Sequence, residues 1–457
     1  MTRFFDGFVA LEMVALGVLE LSLCFLVFYI LLLPGDVAAA VVADGPFGLH
    51  GATASHAGVL ALTIGAISMT IGMYRPEICL QTRRLLVNSV VAGALAFPAV
   101  LALSMVTDLD PSFMLGEDAL WPMKILLSWI LLLFITRLCF RVMLRSGLLS
   151  RPVLIVGSAE QATATEAAIR SMRGGFFSLA GVIAPEAALA LAADRGRARR
   201  IWGMVITADA QHAPAMRNLH AAPPAGLRVF ADVVFREQQL RRLDLNHLAP
   251  GWLTAAESLK AGALERFLRR AGDVTISLAV LALTLPVIVA TALLVRLTSP
   301  GSVFYRQERV GLDGQTFVLF KFRSMYVNAE AQGPAWAAHH DPRVTPLGRL
   351  LRRCRIDELP QLLNVLRGEM SIVGPRPERL HFVAQLNSLI PFHADRTRVK
   401  PGITGWAQVN YPYGASVEDA RQKLAYDLYY VKHRNLLLDL HILVATVRVI
   451  LFQEGAR

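Results

Sequence analysis

Residues 274–295 read VTISLAVLALTLPVIVATALLV, an apolar run long enough to cross a bilayer, with Pro286 near its middle. Proline removes one helical N–H and crowds the carbonyl four residues earlier, so a kink is predicted there. Arg266, Arg269 and Arg270 precede the run and Arg296 follows it. A straight span would carry one basic cluster, and everything after it, across the membrane. A helix broken at Pro286 and returning to its own face keeps both clusters on one side. The flanking charge favours this re-entrant reading, over about residues 270–298.

Upstream, four more apolar runs cover Val14–Leu33, Gly58–Met73, Leu86–Val106 and Met123–Phe140. They raise the hydrophobic fraction to 54%, above the roughly 45–50% of soluble domains. The first run lacks a strong basic leader and more spans follow it, so it reads as a span and not a signal peptide. Residues 34–57 contain no Lys or Arg, and residues 107–122 carry four acids and no base. Arg75, Arg83 and Arg84 lie in the second loop, while Arg137, Arg141, Arg145 and Arg151 follow the fourth run. The positive-inside rule then puts the N-terminus and everything after residue 145 in the cytoplasm.

Residues 146–260 change character. The strand-like Pro152–Gly157 (PVLIVG) is followed by an Ala-rich helical stretch through Arg170, and apolar strands are predicted at Leu179–Ala184, Gly203–Thr207 and Leu227–Ala231. Strands alternating with helices imply a small Rossmann-like α/β domain with a parallel sheet. Gly157-Ser158-Ala159 does not make a GxGxxG fingerprint, so a structural or regulatory role is favoured over a nucleotide ligand. Cys24, Cys79, Cys139 and Cys354 are isolated, which argues against a disulfide framework or a zinc site.

The last third is basic. Residues 301–457 hold 21 Lys/Arg against 14 Asp/Glu within a chain of net charge +11, which suits lipid headgroups or phosphate-bearing substrates; no nucleic-acid motif is present. Its densest stretch is Arg355–Glu378, RIDELPQLLNVLRGEMSIVGPRPE. Pro360 suits the first turn of a helix and Gly368 its end, so Asp357 and Glu358 fall at or just before a helix N-terminus. Such carboxylates can attack phosphorus or hold Mg²⁺, and they can equally be a plain helix cap. Arg376, between Pro375 and Pro377, is a rigidly placed guanidinium suited to a phosphate or to a surface turn. Lys321 and Arg323 follow the apolar strand Phe317–Phe320, where two cations alone also suit a solvated strand end, and Lys400–Trp406 (KPGITGW) is a Gly/Pro loop able to approach a phosphate or a uracil, or equally a structural turn. Leu436–Phe452 is apolar but carries Asp439, His441 and Arg448, as an interfacial helix would. His339 and His340 read as polar loop residues.

In combination, SVFYRQERVG (Ser302–Gly311), FKFRSM (Phe320–Met325), DPRVTPLGRLLRR (Asp341–Arg353), the acidic block and KPGITGWAQVN resemble the bacterial sugar transferase family, the monotopic polyprenyl-phosphate phosphoglycosyl transferases. The resemblance covers about residues 265–457. With residues 1–145 as a transmembrane bundle and 146–260 as the Rossmann-like domain, the whole resembles the long members typified by undecaprenyl-phosphate glucose phosphotransferases. Tyr411–Ser416 and Gly455–Arg457 are most similar to the branch found with exosortase (PEP-CTERM) exopolysaccharide loci. The implied fold is a membrane α-helical N-terminal bundle, an α/β middle domain and a monotopic α/β catalytic domain, 261–457, with a re-entrant helix.

The resemblance implies that Asp357 is the nucleophile, forming a phosphosugar-aspartyl enzyme from a UDP-sugar and releasing UMP to a polyprenyl phosphate acceptor. Glu358, with Asp357, would bind Mg²⁺; Arg376 would hold a phosphate and Lys321 would support the dyad. Arg323, Arg355, Lys400, Gly405 and Gln408 are further substrate-binding candidates, and Pro286 would break the re-entrant helix. Two positions depart from the family pattern: Leu285 replaces a serine often found before that proline, and Arg355 replaces a serine two residues before Asp357. The implied location is the bacterial inner membrane, catalytic domain inward; a homodimer is one arrangement open to it. A membrane-bound dehydratase would need a Tyr-x-x-x-Lys pair, which is missing. A non-enzymatic scaffold of polysaccharide assembly fits the first two-thirds, but the set Lys321, Asp357, Glu358 and Arg376 argues against it.

Overall fold

The computed structural model describes residues 11–32, 51–74, 82–104, 121–171, 176–194, 200–211, 227–248, 250–255, 262–327, 341–412 and 416–452, with single positions between them. The chain forms two compact units, Met1–Leu240 and Arg241–Arg457.

The first unit opens with four helices, α1 (Leu11–Leu32), α2 (Gly51–Thr70), α3 (Thr82–Ser104) and α4 (Trp121–Arg145). Two are long and apolar enough to cross a membrane, over Glu12–Leu32 and Met123–Arg145; in the second unit Ala263–Thr298 is a third among the described residues. These helices and the family reported below make this a membrane protein. Arg137 is not a loop residue: α4 continues past Phe140, and the Arg137 guanidinium is buried 3.0 Å from Glu20, which also accepts from Thr136 at 2.7 Å. A charge inside an apolar bundle persists only when paired. The charge asymmetry of residues 34–57 and 107–122, and that of Arg75, rests largely on loops outside the described residues, as do Cys79, His339 and His340.

After α4 the chain builds β1 (Arg151–Val156), α5 (Ala159–Ser171), β2 (Phe177–Ile183), α6 (Pro185–Ala193), β3 (Gly203–Ile206), β4 (Arg228–Ala231) and α7 (Asp232–Leu240). The four strands form one parallel sheet in the order β2-β1-β3-β4. Alternate residues fill opposite faces: Val153, Ile155 and Val205 pack with Ala162 and Phe235, while Leu154, Val156, Met204 and Ile206 pack with Ala188. Both faces are covered, which is why these strands read as continuous apolar runs.

The second unit begins with residues 241–255, tied down by Leu243 N–H to Ala425 O (2.9 Å) and Trp252 Nε1 to Asp395 (2.9 Å). Then come α8 (Ala263–Thr298), β5 (Phe304–Val310), β6 (Thr316–Phe322), α9 (Pro346–Arg353), a 3₁₀ turn (Ile356–Glu358), α10 (Gln361–Arg367), β7 (Ser371–Val373), α11 (Leu380–Leu389), β8 (Gly402–Thr404), α12 (Trp406–Asn410), α13 (Val417–His433) and α14 (Leu436–Phe452). β5 and β6 make an antiparallel hairpin and β7 pairs with β8 in parallel. Lys321 and Phe322 belong to β6 and do not follow it.

α8 is helical throughout, Pro286 included. Near its start Arg270 donates to the carbonyls of Val365 and Leu366 (both 2.6 Å), capping the last turn of α10, and Asp273 accepts from Ser371 Oγ and Ile372 N–H. Near its end Val295 packs on Phe322 and Leu351. The residues between are largely exposed leucines and valines.

Candidate active site

A cleft of about 1470 Å³ opens in the second unit, lined by β5, β6, α9, the 3₁₀ turn and the segments around Arg376, Gln408 and Lys423. Local sequence explains how the acidic pair reaches it. α9 ends at Cys354, and Arg355 takes a left-handed conformation (φ 56°) that turns the chain into the tight Ile356–Glu358 turn. A side-chain residue is uncommon there, and such strain collects at functional sites. Pro360 stands at the N-cap of α10, and Gly368 ends that helix at φ 83°, where a residue without Cβ fits.

Glu358 is buried and fully engaged. Its Oε1 receives Lys321 Nζ at 2.9 Å and Arg376 Nη2 at 3.0 Å, and its Oε2 lies 3.5 Å from Arg355 Nη1. Burial alone would raise its pKa, but these three cations hold the carboxyl well below the usual range. Asp357 differs. It is buried, it lines the cleft, and among the described residues no hydrogen bond reaches its carboxylate. Burial raises its pKa, Lys321 pulls it down, and the neighbouring Glu358 charge raises it again, for a net upward shift. Lys321 is itself shifted down by burial, against the pull of Glu358. The arrangement is thus one carboxylate held as a structural counter-ion and a second left open at the cleft beside concentrated positive charge.

Four further residues set this geometry. Asn364, fully buried on α10, accepts from Phe320 N–H (3.1 Å) and donates to Val318 O (2.7 Å), fixing β6 and hence Lys321 against the helix that follows the acidic pair. The loop bearing Arg376 is held through its backbone: Arg396 donates to Arg376 O (2.9 Å) and Arg309 to Pro377 O (3.1 Å). Arg396 is in turn fixed by the buried Asp427 at 2.7 Å. The residue reading missed Asn364, Arg309, Arg396 and Asp427. Two left a trace, a polar residue inside an apolar helical stretch, LLNVL and LAYDLYYV.

Of the sequence candidates, Lys321, Arg323, Arg355, Asp357, Glu358, Arg376 and Gln408 line the cleft. Arg323 spends its guanidinium on the carbonyls of Ser299 and Pro300 at the end of α8 (both 2.7 Å). Lys400 and Gly405 are not brought to the cleft. Lys400 lies beside Gly368, and Gly405 backs onto Gly374. The middle of the KPGITGW segment is strand β8, and Gly374 and Gly402 are there so that two backbones can touch: a Cβ on either would overlap main-chain atoms of the other segment. The described residues contain no cluster of three or more His, Cys, Asp or Glu arranged to hold a metal. Asp357, open at the cleft, is compatible with Mg²⁺ all the same, because that ion can take a single protein carboxylate and complete its shell with phosphate and water, whereas Glu358 is already taken by Lys321, Arg376 and Arg355.

A membrane-anchored unit with an open aspartate, a salt-bridged glutamate and a basic cleft defines a class of protein equipped to handle phosphate at a bilayer. Residues 264–453 match the bacterial sugar transferase family, and the chain belongs to it. Over 216 residues it is 44% identical to the UDP-N-acetylgalactosamine-undecaprenyl-phosphate N-acetylgalactosaminephosphotransferase of Aeromonas hydrophila, covering 47% of this chain and 50% of that one. It is 42% identical over 190 residues to the UDP-glucose:undecaprenyl-phosphate glucose-1-phosphate transferase of Caulobacter vibrioides, 41% of this chain and 71% of the relative. The undecaprenyl-phosphate glucose phosphotransferase of Komagataeibacter xylinus is 32% identical over 332 residues, 67% of this chain and 60% of its own, a longer stretch than the family match alone. The chain thus spans about half the length of the Aeromonas relative.

Proposed function

We propose that this protein transfers a sugar-1-phosphate from a UDP-sugar to undecaprenyl or another polyprenyl phosphate, through a covalent intermediate on Asp357. The observation that carries the reading is the contrast within the acidic pair: Glu358 is bound by Lys321, Arg376 and Arg355, while Asp357 is buried at the cleft with no hydrogen bond from the described residues. An oxygen of the Asp357 carboxylate attacks the phosphorus bearing the sugar. The bond from that phosphorus to the bridging oxygen breaks, and its electron pair leaves with UMP. A phosphate oxygen of the acceptor then attacks the same phosphorus, the acyl phosphate bond breaks, and Asp357 is regenerated as carboxylate. Arg376 and Lys321 supply fixed positive charge where negative charge gathers, the principal demand of phosphoryl transfer. Mg²⁺ at the open carboxylate of Asp357, beside the salt-bridged Glu358, would neutralise the diphosphate.

The acceptor is a lipid and the donor is soluble, so the site belongs at a membrane surface, here the cytoplasmic face of the inner membrane. Both arms of α8 grip the same unit, Arg270 and Asp273 at one end and Val295 at the other. This supports a helix bent at Pro286 that dips into one leaflet. Glucose and galactose are the leading sugars, with N-acetylated sugars next, and the product would start an exopolysaccharide repeat.

The decisive experiment incubates purified protein with UDP-sugars and Mg²⁺, without acceptor, and measures released UMP and intact mass. The expected result is about one UMP per chain and a mass gain of one sugar phosphate, both lost in Asp357→Asn. UMP release retained in that variant would remove Asp357 from the role.

A further inference from the structure

The two walls of the cleft differ in kind. On one, Phe304, Tyr326 and Val327 line the opening with 40%, 54% and 66% of their surface exposed. The part of the lining that runs from α12 into α13 is polar instead and contributes Gln408, Tyr411, Ser416 and Lys423. Three large apolar side chains on the rim of a basic cleft lose hydrophobic stabilisation unless something apolar covers them.

Their position says what covers them. The side chain of Val327 lies against Gly301, three residues beyond the end of α8, and Arg323 clasps the carbonyls of Ser299 and Pro300 between them. The lip therefore continues the exposed apolar end of the membrane helix, where Leu297 is 72% exposed. Directly beside it stands α9. Leu351 of that helix is buried on Val295, and the opposite face presents Arg349, Arg352 and Arg353 at i, i+3 and i+4, all lining the cleft. An apolar path out of the bilayer ending at clustered guanidiniums matches an amphiphile with an apolar chain and a phosphate head.

We propose that the acceptor lipid enters over the Phe304–Tyr326–Val327 lip, its isoprenoid chain lying against the end of α8 and its phosphate first meeting Arg349, Arg352 and Arg353. The polar wall is left for the nucleotide. This inference rests on the transfer reaction proposed above and adds to it a division of the cleft between the two substrates.

The test separates the half-reactions, using full-length protein in nanodiscs. UMP release without acceptor reports the first step; turnover against polyprenyl phosphate concentration reports the second. Phe304→Ser with Val327→Asp, and separately Arg349→Gln with Arg353→Gln, should raise the KM for undecaprenyl phosphate about tenfold or more, equivalent to roughly 1.4 kcal/mol. Both should leave the rate and amplitude of the UMP burst within about twofold of the parent. A short-chain isoprenyl phosphate should feel the arginine pair but not the lip pair. Burst and turnover falling together, or an unchanged acceptor KM, would overturn the inference. So would loss of binding to vesicles lacking acceptor with no change in KM, which makes the lip a bilayer seat only. Absence of any burst in the parent protein would instead sink the covalent reaction itself.

Discussion

Asp209 and Asp357 occupy comparable places in the two units. Asp209 lies in the one-turn helix Ala208–Gln211 after β3 and Asp357 in the 3₁₀ turn before α10, and each sits beside backbone shaped by an unusual residue. Asp209 accepts from Ser158 N–H at 2.9 Å and from the Thr207 hydroxyl. What burial it has works against its charge, but these hydrogen bonds prevail and hold its pKa at about 2. Next to it Gly157 (φ 149°) leaves no room for a Cβ, which would overlap the Thr207 hydroxyl. The amide that starts α5, where a parallel-sheet domain often receives a ligand's phosphate, is thus already taken by the protein's own carboxylate. Asp357 is the reverse: more buried, without a hydrogen bond from the described residues, and shifted upward. A satisfied carboxylate is a structural part, whereas one buried and open among cations is a candidate for chemistry, the role proposed above for Asp357.

The largest expected effect comes from making the reagent inert. Asp357→Asn should cut UMP release by on the order of 10³-fold or more, whereas Asp209→Asn should leave it nearly unchanged; equal losses would dissolve the contrast. Next, Glu358→Gln should cost about 10²–10³-fold in turnover, since Lys321 and Arg376 lose the charge that aligns them. On the structural side, Gly157→Ala should destabilise the parallel-sheet domain by about 2 kcal/mol, read from its thermal unfolding, with UMP release from the second unit retained at low temperature. The smallest effect is Asp209→Ala, about 1 kcal/mol for the lost hydrogen bonds.

Acid should separate the two aspartates further. Because the pKa of Asp209 is depressed, its contribution to stability is present above about 3.8 and is lost as pH falls toward 2. In the proposed reaction Asp357 must be ionised to attack, and its pKa is raised, so UMP release should fall at a higher pH than that, in a titration that leaves the fold intact. A shared midpoint for activity and unfolding would break the distinction.

Much of this was legible locally. The helices between residues 11 and 145 follow from length and apolarity, and the alternation PVLIVG–helix–strand required a parallel sheet. Pro360 and Gly368 bracketed α10 as expected. What failed were readings that needed a partner. Arg137 looked like a topological marker beyond a span and is an interior ion pair with Glu20. KPGITGW looked like a ligand loop, yet its glycines serve a crossing of two backbones. Asn364, Arg396 and Asp427 act through residues far away in sequence, so no spacing announced them.

The sequence by itself determined which segments are apolar enough for a membrane, where the chain turns, and that two acids stand before a helix near a proline-bounded arginine. These are properties of neighbours along the chain, governed by periodicity and backbone preference. Only the tertiary structure decided which of the two acids is occupied and which is open. That depends on Lys321 and Arg376 arriving from 37 and 18 residues away to meet on one oxygen of Glu358, and the field at a buried carboxylate is set by what surrounds it in space.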